Sequence, residues 1–146
     1  TDLHTPTSAN PENVVEDIIE MRELLYSKGF FGPFVVYHST GYDRFFDDDY
    51  FRTGGTSVTR TLRERVESIE GITAIRRLDF LTSGYQLIMV QMTPDVAEAV
   101  IGMNVTTVQW PEMGGAIQKF RVMMIGSPLL HRNYAGETGI VHGTTS

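Results

Sequence analysis

The spacing of apolar positions changes along this chain, from helical in the first half to strand-like in the second. Val14, Ile18, Met21 and Leu25 recur at the spacing of one helix face, and Val15 and Ile19 widen the stripe. Asn10-Pro11-Glu12 supplies the start, with Asn10 as N-cap, Pro11 in the first helical position and Glu12 at the positive end of the dipole. Lys28-Gly29 supplies the stop. A helix is therefore predicted up to Lys28, behind a polar linker over residues 1–10. Phe34-Val35-Val36-Tyr37, following Gly32-Pro33, is continuously apolar and reads as a buried strand. Ser39-Thr40 offers a cap for a short helix carrying Tyr42, Phe45 and Phe46. From Asp47-Asp48-Asp49 to Gly54-Gly55 the periodicity breaks, which predicts an exposed loop. Thr56 or Ser57 then caps a helix with Val58, Leu62, Val66 and Ile69 on its apolar side and Gly71 at its end.

Beyond Gly71 the pattern turns to β. Ile72 to Asp79 and Gln86 to Met92 flank the turn Thr82-Ser83-Gly84 and predict a hairpin or neighbouring strands. Thr93-Pro94-Asp95 reads as the cap and first turn of a short helix reaching Ile101 and closed by Gly102. Val105 to Trp110 and Ala116 to Ile125 form a second predicted hairpin around Gly114-Gly115. Ser127-Pro128 interrupts it, and residues 131–146 form a glycine-rich tail with one apolar piece, Gly139-Ile140-Val141. Helices first and strands later indicate an α+β fold rather than a doubly wound parallel sheet.

Composition narrows the function classes. With 146 residues, 41% hydrophobic and 21% charged, the chain suits one folded domain. It has no apolar run of about 18 residues, the length that would cross a membrane as a helix, and its first residues show no secretory h-region. The absence of cysteine excludes disulfides, thiolate metal sites and a cysteine nucleophile. A net charge of -6 is the wrong sign for holding nucleic acid by phosphate neutralisation, so any enclosed DNA must be put there by other means. The chain opens without Met in a Ser/Thr/Pro-rich stretch, which suggests a piece of a longer polypeptide.

No catalytic or metal constellation passes its spacing test. Asp43, Asp47, Asp48 and Asp49 are close enough in sequence to attract a divalent cation, but the glycine and glutamate positions of a calcium loop are missing, and a solvated loop is the preferred reading. The histidines His4, His38, His131 and His142 lack zinc or di-iron spacing. His38-Ser39 has no nucleophile elbow around it, and Ser39 is better explained as a cap. The glycine pairs at 54–55 and 114–115 are turns rather than phosphate cradles. Arg60, Arg63, Arg65, Arg76 and Arg77, with Glu64, Glu67 and Glu70 nearby, read as a salt-bridged solvent face. The crowd of aromatics from Phe30 to Phe51 exceeds what one helix and one strand hide, which points to partial burial against another subunit.

Three segments resemble the Hong Kong phage capsid fold, shared by tailed-phage major capsid proteins and encapsulin shell proteins. The first is the helix of residues 12–28 with Gly32-Pro33-Phe34-Val35-Val36-Tyr37, Tyr42 and Phe45-Phe46. The second is Val58-Thr59-Arg60-Thr61-Leu62-Arg63-Glu64-Arg65-Val66 with Ile69-Glu70-Gly71-Ile72. The third comprises Gln91-Met92-Thr93-Pro94-Asp95, Val108-Gln109-Trp110 and Gly139-Ile140-Val141-His142-Gly143. The resemblance implies the C-terminal portion of such a protein. Residues 11–115 would be the axial domain, with a central mixed or antiparallel sheet flanked by helices. Residues 116–146 would be strand and tail returning to the peripheral domain. The family's N-terminal arm, extended loop and spine helix have no counterpart in these residues.

What the resemblance implies about function is a structural, non-enzymatic coat protein. It would self-assemble through pentamers and hexamers into an icosahedral shell around a phage genome. The double-stranded DNA would be enclosed without specific binding, with scaffolding or portal proteins as further partners and no cofactor, metal or membrane. Such a protein is made in the host bacterial cytoplasm and resides in the virion. An encapsulin-like nanocompartment shell is the first alternative, and an α+β ligand-binding domain the second. The expected subunit-interface residues are Tyr42, Asp43, Asp47, Asp48, Asp49, Tyr50, Arg52 and Thr56, where charges of both signs suit pairing between neighbours.

Overall fold

The computed structural model describes residues 1–7, 10–51, 57–82 and 84–145. The elements in chain order are α1 (Glu12–Ser27), β1 (Phe34–His38), a 3₁₀ turn (Thr40–Tyr42), α2 (Asp43–Asp47), β2 (Asp49–Phe51), β3 (Ser57–Thr61) and α3 (Leu62–Glu67). Then follow β4 (Ile72–Arg77), β5 (Gln86–Gln91), β6 (Ala97–Glu112), a 3₁₀ turn (Met113–Gly115), β7 (Ile117–Leu130) and β8 (Ile140–Thr144). The fold is mixed α+β, as the order of periodicities indicates.

α1 forms where its apolar stripe lies, burying Val14, Val15, Ile18, Met21 and Leu25. Each such side chain contributes about 1.5–3 kcal/mol when removed from water. Its end is a Schellman motif: the Gly29 N–H donates to the Tyr26 carbonyl and the Phe30 N–H to the Leu25 carbonyl, both at 3.0 Å. Gly29 takes the left-handed conformation this requires, at φ 83°. At the other end Pro11 is the flanking residue rather than the first helical one, and the Asn10 carbonyl accepts from the Asn13 N–H at 3.3 Å.

The central sheet has the strand order β4-β1-β5-β8. β1 runs parallel to β4 and antiparallel to β5, and β8 is antiparallel to β5. Alternation along these strands, with one extra residue in β4 between Ile72 and Ala74, turns Phe34, Val36, His38, Ile72, Ile75, Leu87, Met89 and Val141 to one face, where α1, α3, Tyr42 and Phe46 cover them. The N-terminal segment docks on β8. Asp2 bridges to Thr144 in parallel, and Leu3 closes over Gly143, where an added Cβ would lie 2.6 Å from the leucine Cδ2. His4 completes the clasp: its backbone N–H and ring Nδ1 meet the two carboxylate oxygens of buried Asp17 at 3.0 and 2.6 Å.

Several local expectations are overturned. β4 and β5 are neither a hairpin nor neighbours, because β1 lies between them; a central strand supplied from earlier in the chain leaves no local trace in the turn sequence. The loop expected from Asp47 to Gly55 is not continuous: Asp47 ends α2 and Asp49–Phe51 is β2, paired with β3, while residues 52–55 lie outside the described residues. The helix expected from Thr56 or Ser57 begins only at Leu62. The β-branched run before it is strand, and the Thr61 hydroxyl caps α3 by accepting the Glu64 N–H at 3.3 Å. The short helix from Thr93 to Ile101 does not form. Thr93 to Val96 is a turn, after which pairing with β7 outweighs the local cap signal. Nor does Ser127-Pro128 interrupt β7: Pro128 lies opposite Ala99, in a ribbon whose strands each have an open edge.

β6 and β7 form a ribbon extending well beyond the predicted hairpin, from Ala97 opposite Leu130 to Glu112 opposite Ile117. Its tip is turned by Met113, Gly114 and Gly115, all at positive φ. Residues 140–144, within the tail expected to lead to a peripheral domain, form β8 of the same sheet that contains β1.

Candidate functional site

Of the sequence-predicted interface residues, Tyr42, Asp43, Asp47 and Asp48 lie on the turn and short helix that follow β1. There the chain turns through Thr40–Tyr42 into α2, and residues 78–82 and 84–85 cross beside it. The Ser39 hydroxyl donates to the Gly84 carbonyl at 2.9 Å and accepts the Gln86 N–H at 3.1 Å. It therefore ties the crossing loop to β1 and makes no side-chain cap, contrary to the sequence expectation. The Thr40 N–H to Leu81 carbonyl and Leu78 N–H to His38 carbonyl bonds, at 3.4 and 3.0 Å, complete the seam.

Tyr42 is wholly buried, with its ring edge-on to Tyr85 at 5.3 Å and tilted against Phe46 at 5.8 Å. Among the described residues its hydroxyl meets no partner. Burial, reinforced by the charge of Asp17 and by Tyr85, pushes the phenol pKa well above its ordinary value. His38 is also wholly buried, 4.7 Å from the Phe46 ring centroid. Its Nδ1 lies 3.0 Å from the Ser39 carbonyl, which suits the tautomer with the proton on Nδ1, and 3.6 Å from Asp43 Oδ1. Nε2 is without a partner among the described residues. Burial lowers the His38 pKa despite the raising influence of the Ser39 carbonyl and Asp43, so the ring is neutral near pH 7.

Outside this buried layer the aspartates divide among arginines. Asp43 receives Arg77 at 3.1 Å, and Arg77 also holds Asp79 at 2.7 Å. Asp47 pairs with Arg63 at 3.5 Å, while Arg63 donates to the Ile75 carbonyl at 3.3 Å and lies 5.9 Å from the Phe46 ring centroid. The pairing expected between Arg63 and the glutamates of its own helix gives way to this longer-range one. Asp48 is exposed, and its carbonyl accepts the Leu62 N–H at 3.4 Å. Asp49 and Tyr50 lie on β2, with Asp49 opposite Thr61, whereas Arg52 and Thr56 lie outside the described residues. Among the described residues no three His, Asp or Glu side chains gather as a metal site.

Sequence reasoning passed over two features. Phe80, 92% exposed, stands on the crossing loop at this same end of the sheet; its one signal was an aromatic flanked by Asp79 and Leu81 in a turn region. The β6–β7 ribbon, extending from the opposite end of β5, exposes large apolar residues along its length. Their signal was the alternation of Phe120, Val122 and Met124.

Comparison with solved structures places this architecture beside the crystal structure of a virus-like particle from Pyrococcus furiosus. That match has a TM-score of 0.64 at 19% identity and covers 97% of this chain. The chain spans 55% of that protein's length. The two share a fold. No curated protein matches the sequence. A family model does match, over residues 1–143, and on that extent the chain belongs to the family described as "Family of unknown function (DUF6260)".

Proposed function

We propose that this chain is the shell-building portion of a structural protein that assembles from many copies of itself into a closed particle. The observation that carries the reading is the likeness, over nearly the whole chain, to a protein that forms a virus-like particle. The molecular surface supports it. The chain exposes 9451 Å², whereas a compact monomer of 16.4 kDa exposes about 7,500 Å². An excess of about 1,900 Å² is what an element awaiting burial by neighbours leaves behind.

In this reading the end carrying Asp43, Asp47, Asp48 and the paired strands β2 and β3, with Asp49 and Tyr50, faces the symmetry axes of five- and six-membered rings; Arg52 and Thr56, outside the described residues, join the proposed contact by their place in the sequence alone. Its charges of both signs set the register between copies. Tyr42 acts from behind, holding α2 in place. The expected domain boundary at residue 115 falls at the ribbon tip; we divide the chain instead into a sheet body with axial contacts and a ribbon reaching toward peripheral ones. The finer reading is a phage coat around double-stranded DNA, its contents held without phosphate neutralisation, as a net charge of -6 favours.

Negative-stain electron microscopy of the full-length protein expressed alone tests the proposal. Closed shells, or rings of five or six, are the expected result, and replacing Asp47, Asp48 and Asp49 with alanine should distort or weaken them. A protein that stays monomeric at every concentration, with or without co-expressed partners, would overturn it. The nucleic-acid content of purified particles separates a genome coat from a compartment around protein cargo.

A further inference from the structure

We propose that one face of the β6–β7 ribbon is an obligate contact with a second copy of this chain. The inference rests on the shell reading and deepens it by naming the contact surface. β7 keeps its alternation throughout, while β6 carries two irregularities. The even-numbered residues of β7 therefore share one face, with Phe120, Val122 and Met124 exposed at 61%, 67% and 56%. The register adds Ile101, opposite Gly126, and sets Leu130 opposite Ala97. No acidic or basic side chain lies on this face. The ribbon's charged residues Glu98, Glu112, Lys119 and Arg121 all belong to the other one, where Lys119 and Glu112 pair at 2.7 Å.

A two-stranded ribbon is marginal in water unless something covers it, and fourteen residues of β7 make it about 45 Å long. Interface cores are depleted of charge and enriched in Phe and Met; this face is uncharged and presents Phe120 and Met124 beside Val122. The chain's surface excess of about 1,900 Å² over a compact monomer is more than the 800 Å² or so that each partner buries in a stable protein–protein contact. A second copy fits an uncharged, extended, apolar surface without requiring a charged partner.

The test uses the full-length protein, and these 146 residues contain no cysteine. Val122→Glu should raise the concentration at which self-association is half complete at least 100-fold in analytical ultracentrifugation, with thermal unfolding of the sheet body unchanged. Val108→Glu, on the opposite face, should have a much smaller effect. Because a charge could disturb the ribbon itself, Val122→Cys supplies a second reading: a bismaleimide should join two copies through it. Shells that survive Val122→Glu would overturn this proposal and leave the shell reading standing. Stable dimers that never close, abolished by Val122→Glu, would support the contact while overturning the shell. A monomeric wild type in which maleimide cannot reach Val122→Cys would mean that another segment of the same polypeptide covers the face, and the proposal would fall.

Discussion

Replacing Tyr42 by phenylalanine removes a single oxygen atom from the most tightly enclosed part of the predicted interface. Tyr42 is fully buried, and its hydroxyl finds no partner among the described residues. A buried, unsatisfied hydroxyl costs about 1–3 kcal/mol. Phenylalanine keeps the ring packing against Tyr85 and Phe46, at 5.3 and 5.8 Å, and gives up the stranded group. Tyr42→Phe should therefore stabilise the fold by about 1 kcal/mol, raising the melting temperature by about 2–4 °C for a chain of this size. Tyr42→Ala, which also removes the ring, should cost about 3–5 kcal/mol. Urea unfolding followed by circular dichroism reads both, and an unchanged denaturant slope shows that the unfolded state is the same. Assembly of Tyr42→Phe should match wild type, since nothing outside the protomer touches a group so enclosed. A loss of 0.5 kcal/mol or more, on the order of half a net hydrogen bond, would refute the reasoning. It would mean that the phenol donates after all, with Asp17, whose charge already bears on it, the first acceptor to examine.

Two further expectations concern stability. The His4 pKa is raised above the ordinary 6.5, first by its hydrogen bond to Asp17 and then by that carboxylate's charge, so its contribution is complete below pH 6.5 and is lost as pH rises through the folded value. The His38 pKa is lowered from 6.5 by burial, so its contribution is complete above 6.5 and lost as pH falls through the folded value. Melting temperature should peak near pH 6.5; His4→Asn should flatten the alkaline limb alone and His38→Phe the acid limb alone, and unchanged limbs would sink the assignment. Separately, a Cβ at Gly139 would lie 2.6 Å from Val96 Cγ2 and 3.0 Å from Phe30 Cδ1, so Gly139→Ala should cost about 1–3 kcal/mol. Adding Val96→Ala should recover part of that loss in chemical denaturation, whereas a neutral Gly139→Ala would show that β8 shifts freely.

The elements legible in the sequence are those whose signals are local. α1 carries its stripe and its glycine stop within one segment, β1 is a continuous apolar run, and the β6–β7 turn announces itself with paired glycines. What failed depended on a partner far away. Nothing between Ile72 and Gln91 says that β1 will insert between β4 and β5. Ala97 to Ile101 abandon a respectable helix start because β7 waits opposite them. The candidate site divides the same way. The position of the aspartates near a short helix was readable, but Arg63 and Arg77 arrive from α3 and β4, and their pairings with Asp47 and Asp43 exist only after the sheet forms. Tyr42 reads from sequence as an interface residue because an aromatic in a polar stretch looks the same whether it faces a neighbour or its own core.

The two ends of the molecule differ in the chemistry they offer a neighbour, and the difference bears on how a shell could hold together. Exposed ion pairs such as Arg77 with Asp79 are screened by water and salt and contribute little. Charged side chains at the sheet end can therefore select an orientation and exclude wrong ones, but they supply little of the adhesion. The uncharged ribbon face has the opposite character. At about 25 cal/mol per Å² of apolar surface, covering it would release far more free energy than the charges can, though with little preference for register. In the proposed shell each end supplies what the other lacks. High salt should then perturb particle geometry before it releases subunits, while a single charge on the ribbon face should release subunits at any ionic strength.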